Sequence, residues 1–309
     1  MEKFFTVLQI VIPIFAAIGL GMLAKKKGMM TAEQNQGLQS YVSKFGVPCL
    51  LFNSCLSCNL GAESVSSMAI ALPMLLISTF WAFAARKKNY PYYNLPMLFA
   101  AQESGMLGIP LYMTLFGVSQ AYRMGVLDMT QALVVIPVIA ILTSGSGEDL
   151  SVGGIVKKVL TSPLLMVSAL ALVLNFSGTM NWLNAVGFGP VITETTGFIA
   201  QPVSAVILFS VGYNFSLGEG SRDKIFRICI IHVLYFAIFG ALGQLALLLV
   251  PNVDPLTRWA LLIYSTLPAS YLAPAMGRSE EDYTLASGVC SITTVVTLIV
   301  FCGIAVVVA

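Results

Sequence analysis

Long apolar runs separated by short polar breaks fill the chain. The runs lie at about 4–24, 36–57, 65–85, 94–117, 122–143, 156–176, 190–214, 225–250, 257–277 and 283–309. Each is close to the roughly 20 residues that a helix needs to cross the hydrocarbon core. The pattern predicts ten transmembrane helices and leaves no room for a soluble domain. The longest polar stretch, 144–158, reads as a connection. The expected organisation is a first five-helix unit at 1–143, a cytoplasmic connection at 144–155 and a second five-helix unit at 156–309.

Composition agrees with this pattern. Of 309 residues, 57% are hydrophobic and only 10% are charged, against about 25% charge in a soluble globular domain. The expected class is an all-α integral membrane protein. The net charge of +2 says little, but the placement of the charges is informative. Lys25, Lys26, Lys27, Arg86, Lys87, Lys88, Lys157, Lys158, Arg222, Lys224, Arg227 and Arg278 follow the odd-numbered runs. Only Lys3, Arg123 and Arg258 stand on the other side. Positively charged loops stay in the cytoplasm, so both termini are expected outside a multi-pass cell membrane. The first run is too long for a signal peptide, and its basic cluster follows rather than precedes it. No charge run points to nucleic acid.

Prolines mark an internal repeat. Pro13, Pro48 and Pro110 in the first half match Pro163, Pro202 and Pro268 in the second, at offsets of 150, 154 and 158 residues. Five spans per half is an odd number, so the second half would enter the membrane from the opposite side. Such 5+5 inverted repeats are a common build of secondary transporters, with broken helices at the repeat interface.

The fourth run contains the stretch QESGMLGIPLY, 102–112. Glu103 stands about nine residues in, roughly 14 Å deep at 1.5 Å per residue, near the midplane. Pro110 lacks an N–H, and Gly105 and Gly108 loosen the same region. The freed backbone groups must face protein or water rather than lipid. The ninth run repeats the device with Pro268 and Pro274. Two broken helices at matching positions would direct half-helix ends at a shared site.

These residues resemble the auxin efflux carrier family of membrane transporters. GMLGIPLYMTLFG in the fourth run is similar to the family's first crossover, LPASYLAP in the ninth to its second, and FGVPCLLF to its proline-bearing second helix. The resemblance covers the whole chain, which looks like a bacterial-type member. It implies a fold related to the bile acid sodium symporters. Helices 1, 2, 6 and 7 would form a scaffold, and helices 3–5 and 8–10 a transport domain in which broken helices 4 and 9 cross. It further implies elevator-like transport of a small organic anion such as malate, malonate or auxin, and a homodimer. The family's plant members have a long cytoplasmic loop that this chain lacks.

One departure stands out. The family often has Asn where this chain has Glu103, and an ionised Glu would repel a carboxylate. Glu103 would then be protonated when an anion binds, coordinate Na⁺, or serve a cationic or zwitterionic substrate. The first is favoured because burial penalises a charge. No other cofactor is expected.

An ionisable residue inside the membrane is a functional candidate by default. The expected substrate and ion site comprises Glu103, Ser104, Gly105, Gly108, Pro110, Pro268, Ser270 and Tyr271. Asp128 and Gln131 on the fifth run, and Asn53 and Lys44 on the second, are candidates for its walls. Lys44 equally suits a side chain reaching back to the interface. His232 reads as a packing residue bonded to a neighbouring carbonyl, and Glu194 as solvated. Cys55 and Cys58 form a lone CxxC, which suits apolar filler better than zinc.

No ATP-binding motif, nucleophile elbow or HExxH pattern is present, so an enzyme is not expected. A channel would need a continuous polar pore, whereas the polar residues here cluster at two breaks. A ligand-binding sensor with a transporter fold would call for a signalling domain, and none is expected within these 309 residues.

Overall fold

The computed structural model describes residues 2–56, 61–143, 163–215 and 222–308. Among these the chain is almost wholly helical, and its only β pairing is one isolated bridge. In the first half, α1 spans Glu2–Lys26, α2 Ala32–Tyr41, α3 Val47–Leu56, α4 Ala62–Lys88, α5 Leu95–Ala100, α6 Ile109–Phe116 and α7 Ala121–Thr143. The second half contains α8 at Pro163–Phe176, α9 at Thr179–Ala185, α10 at Phe188–Ala200 and α11 at Val203–Asn214. There follow α12 at Arg222–Leu247, α13 at Pro255–Thr266 and α14 at Glu280–Val308. The expected connection 144–155 and Cys58 lie outside the described residues.

Among the described residues, five segments are long and apolar enough to cross a membrane: Ala62–Lys88, Val118–Ile139, Phe188–Asn214, Arg222–Leu247 and Glu280–Val308. Large apolar side chains such as Phe80, Phe198 and Leu249 point outward, which suits lipid and not water. Helices satisfy their own backbone groups, so they can stand in hydrocarbon. The protein is an all-α, membrane-embedded protein.

Local sequence explains the helix ends. Thr31 and Gln34 form a reciprocal capping box at the start of α2. Asp254 caps α13 by accepting from the Leu256 N–H at 2.8 Å, with Pro255 at the first helical position. Two prolines follow π turns. The wide turn Val42–Gly46 precedes Pro48, and the wide turn Ser104–Gly108 precedes Pro110. Proline cannot donate to the carbonyl four residues back, and a π turn just before it takes up that mismatch.

The helices pack in two groups. In one, α1 lies along α11, while α3 packs on α8 and α10. In the other, α4 packs on α5 and α7, and α12 packs on α13 and α14. The second group holds the two interrupted segments. The first ends its helical start with α5 and resumes at Ser104, and the second ends α13 at Thr266 and continues as extended chain.

The two ends of the bundle differ. At one end Lys25 donates to the Phe215 carbonyl at 3.2 Å. Arg86 and Arg278 flank the Tyr93 ring at 4.1 and 3.9 Å, and Lys224 pairs with Glu281 at 3.3 Å. At the other end Arg123 is buried and joins three helices. It bonds Asp254 and Gln120, donates to Thr257 Oγ1 at 3.1 Å and lies 3.6 Å from Glu63.

Candidate functional site

The two interrupted segments meet. Residues after α5 are extended, with Ala101 at φ −147° and ψ 147°, and so is Leu267 after α13, at ψ 155°. Gln102 and Ala269 form an antiparallel bridge across the gap. The Glu103 N–H donates to the Pro268 carbonyl at 2.9 Å. With its amide oriented to satisfy both neighbours, Gln102 donates to the Leu267 and Pro268 carbonyls at 2.6 and 3.1 Å.

Each break needs outside partners, because extended chain at this depth has no helical bonds. Long helices supply them. Gln131 Oε1 on α7 accepts from the Gln102 N–H at 3.0 Å, and Thr293 Oγ1 on α14 accepts from the Ala269 N–H at 3.3 Å. Ser78 donates to the Phe99 carbonyl at 2.6 Å, and Thr297 donates to the Thr266 carbonyl at 2.5 Å. These hydroxyls satisfy carbonyls orphaned at the ends of α5 and α13.

Two carboxylates stand at this junction. Glu103 Oε2 accepts from the Tyr271 N–H at 2.7 Å. Asp128 Oδ1 accepts from the Ser104 hydroxyl and, at 2.9 Å, from Gln131 Nε2. Gln131 also donates to Ser104 Oγ at 2.7 Å and accepts from the Tyr264 hydroxyl at 3.0 Å. Gly105 opens toward Asp128, since a Cβ there would sit 3.5 Å from its Oδ1. Glu103 is 7% exposed. Among the described residues neither carboxylate has a salt-bridge partner, although burying an unpaired charge is expensive.

The expected residues thus divide. The structure brings together Glu103, Ser104, Gly105, Gly108, Pro268, Tyr271, Asp128 and Gln131. Ser270 belongs to the same loop, but its hydroxyl accepts from the Leu272 N–H at 3.3 Å and so shapes the turn. Pro110 corrects the expectation of a break at that residue. It lies buried directly after the π turn Ser104–Gly108, which accommodates its missing N–H, and the chain opens earlier, at 101–103. Lys44 is exposed on the π turn before α3, which agrees with the alternative of a side chain reaching the interface. Asn53 is a second correction. It ties α3 to α10, donating to the Thr193 carbonyl at 3.2 Å and accepting from Thr196 Oγ1 at 2.6 Å. His232 is buried between Phe99 and Phe236, with ring centroids 5.5 and 4.7 Å away, and its Nε2 has no partner. Glu194 is exposed, as expected.

A cavity of about 540 Å³ lies between the two helix groups at the Lys25 end. Lys25, Asn35, Gln36 and Asn214 line one side, and Tyr271 and Thr294 the other. Tyr271 therefore joins the cavity to Glu103, and its hydroxyl pairs with Thr294 at 2.8 Å. Asn35 Nδ2 donates to Asn214 Oδ1 at 3.0 Å, while the buried Oδ1 of Asn35 has no partner. Sequence reasoning missed these polar residues. The available signal was Asn35 and Gln39, one helical turn apart at the start of the second run. Gln102 was also missed, although it adjoins Glu103.

Comparison with protein-family models gives no match, and neither does comparison with curated protein sequences.

Proposed function

We propose that this chain is a secondary transporter of the auxin efflux carrier type that moves a small organic acid by an elevator motion, with Glu103 and Asp128 binding the coupling H⁺ or Na⁺. The observation that carries this reading is the meeting of two interrupted helices at a buried acid, one residue away from a polar cavity. Broken helices that cross at midplane are what alternating-access carriers use to bind solute.

Other features support the finer parts of the reading. On a ten-span, 5+5 inverted repeat, the first and sixth spans are equivalent, and so are the second and seventh. The packing of α1 on α11 and of α3 on α8 is the exchange such symmetry requires. The two bridge residues are each held by the last long helix of their own half, Gln102 by α7 and Ala269 by α14. The group α1–α3 with α8–α11 then acts as scaffold and the rest as transport domain, with the cavity between them. The basic end is cytoplasmic by the positive-inside rule, and the cavity opens there.

The two unpaired carboxylates support a second reading, a zwitterionic or cationic solute whose ammonium group takes the place of the coupling ion. Uptake into proteoliposomes separates the two. Radiolabelled malate, malonate and indole-3-acetate are offered under a pH gradient, a Na⁺ gradient or neither, beside an amino acid mixture. Gradient-driven uptake of an acid, lost in Glu103→Gln, supports the first reading. Uptake of amino acids alone supports the second, and no uptake of any solute by well-folded protein overturns both.

A further inference from the structure

A second cavity, of about 770 Å³, lies outside the site already described, between α12 and α14 at the basic end of the bundle. Its walls are two helices of membrane-crossing length and composition, so it faces acyl chains rather than the polar interior. Gly288 lines the cavity, and a Cβ there would lie 2.8 Å from Ile225 Cδ1. Ile292 stands one turn further along α14, and Phe226 flanks the opening at 59% exposure. The mouth is charged. Arg222 and Arg227 both line the cavity and both are exposed, against a single carboxylate, Asp223. Among the described residues neither guanidinium forms an ion pair, whereas the adjacent Lys224 is engaged with Glu281.

An apolar slot that opens sideways from the bundle and ends at two uncommitted arginines complements one kind of molecule, a lipid with an anionic headgroup. Guanidinium groups bind phosphate oxygens in paired hydrogen bonds, and basic residues at the membrane surface attract anionic lipids. We propose that this groove binds an anionic phospholipid, with Arg222 and Arg227 on the phosphate and an acyl chain along Ile225, Phe226, Gly288 and Ile292. The groove is built by α12 and α14, and the proposal does not depend on what the protein transports.

Native mass spectrometry of the full chain in mild detergent tests it, with phosphatidylglycerol or phosphatidylcholine added at equal concentration. The wild type is expected to retain phosphatidylglycerol several-fold more than phosphatidylcholine. Arg222→Gln/Arg227→Gln is expected to bring retention down to the phosphatidylcholine level. Ile292→Trp fills the slot without touching the charges and is expected to reduce retention of both lipids. It keeps the test open should the double variant fail to fold. Undiminished phosphatidylglycerol on either variant would overturn the proposal. So would full displacement by millimolar inorganic phosphate, which would mark a site for a free anion.

Discussion

The main-chain N–H of Tyr271 donates to Glu103 Oε2 at 2.7 Å, so the backbone of one broken segment holds the acid of the other. The bond makes the two halves of the junction one unit, and it separates two substitutions of similar size. In Glu103→Gln the amide oxygen still accepts from Tyr271, so folding stability should fall by no more than about 1 kcal/mol. The ionisable group is gone, and gradient-driven uptake should vanish. In Glu103→Ala the Tyr271 N–H is buried without a partner, and stability should drop by about 1–3 kcal/mol as well. Thermal unfolding in detergent, read beside uptake, checks both. Full uptake by Glu103→Gln would remove Glu103 from the coupling role.

Gly108 governs how closely the segments approach. A Cβ there would lie 2.6 Å from Leu267 Cδ1 and 3.4 Å from Met124 Sδ. Leu267 is itself buried, so its methyl group has little room to move away. Gly108→Ala should cost about 1–3 kcal/mol by overpacking, and it should strain the Gln102–Ala269 bridge. A paired Leu267→Ala should recover part of the loss. If Gly108→Ala unfolds at the wild-type temperature, the approach is looser than the geometry implies.

Much of this junction is legible in the sequence. An acid in mid-run, with glycines and a proline beside it, marks the first break, and the paired prolines of LPASYLAP mark the second. The position of the break was not legible. Pro110 invites a break at its own turn, yet a π turn ending at Gly108 absorbs the proline, and the chain opens seven to eight residues before it, at Gln102–Glu103. Apolar periodicity does not register a π turn. Asp128 and Gln131 were visible as polar residues one turn apart, but only tertiary packing shows that they meet Ser104. The same limit explains Asn53: a lone Asn in a run of apolar residues cannot reveal which neighbour it faces. Asn35, Gln36 and Asn214 lie near run ends, where polar residues are ordinarily solvated. Only the fold shows that they wall a cavity.

His232 illustrates the opposite case, an ionisable residue inside a span with a packing role. It is buried between aromatic rings, and its Nε2 lacks a partner. An orphaned polar atom costs about 1–3 kcal/mol, so an apolar ring of similar size should do no harm. His232→Phe is expected to keep wild-type uptake and to unfold at the same or a higher temperature. Lost activity with intact folding would instead point to proton transfer through this residue.

Arg123 locks the far end of the bundle. Its guanidinium reaches Glu63, Gln120 and the pair Asp254 and Thr257, which belong to three different stretches of chain. Arg123→Met removes the cation and leaves two acids facing each other. Asp254 is 36% exposed, which screens part of the effect. A loss of about 1–3 kcal/mol is expected, below that of a fully buried pair. Asp254→Asn added to Arg123→Met should restore some of it, and a double-mutant cycle on thermal unfolding measures the coupling.

Next to Arg123, Tyr122 forms part of a contact between the two helix groups. Its ring is buried among Phe52, Cys55 and Leu56 of α3, Ala171 of α8 and Met180 of α9, and its N–H donates to Ser54 Oγ at 2.6 Å. One turn on, Gly125 admits Leu51: a Cβ at 125 would lie 2.7 Å from Leu51 Cδ2. The groups are therefore sealed at the Arg123 end, while a cavity separates them at the Lys25 end. On the proposed elevator, motion of the transport domain must withdraw Tyr122 from this pocket. Tyr122→Ala should break the seal without touching the junction at Glu103. Cys55, buried in the pocket, should then react several-fold faster with a membrane-impermeant maleimide added at the Arg123 end. Cys229, buried against Val289 in the other group, serves as the internal reference. A rise at Cys55 alone means that the seal has opened. A rise at both means that the ring's loss has loosened the whole fold, which truncating a buried aromatic at about 3–5 kcal/mol can do. Unchanged labelling of Cys55 would show that Tyr122 is not what closes this end.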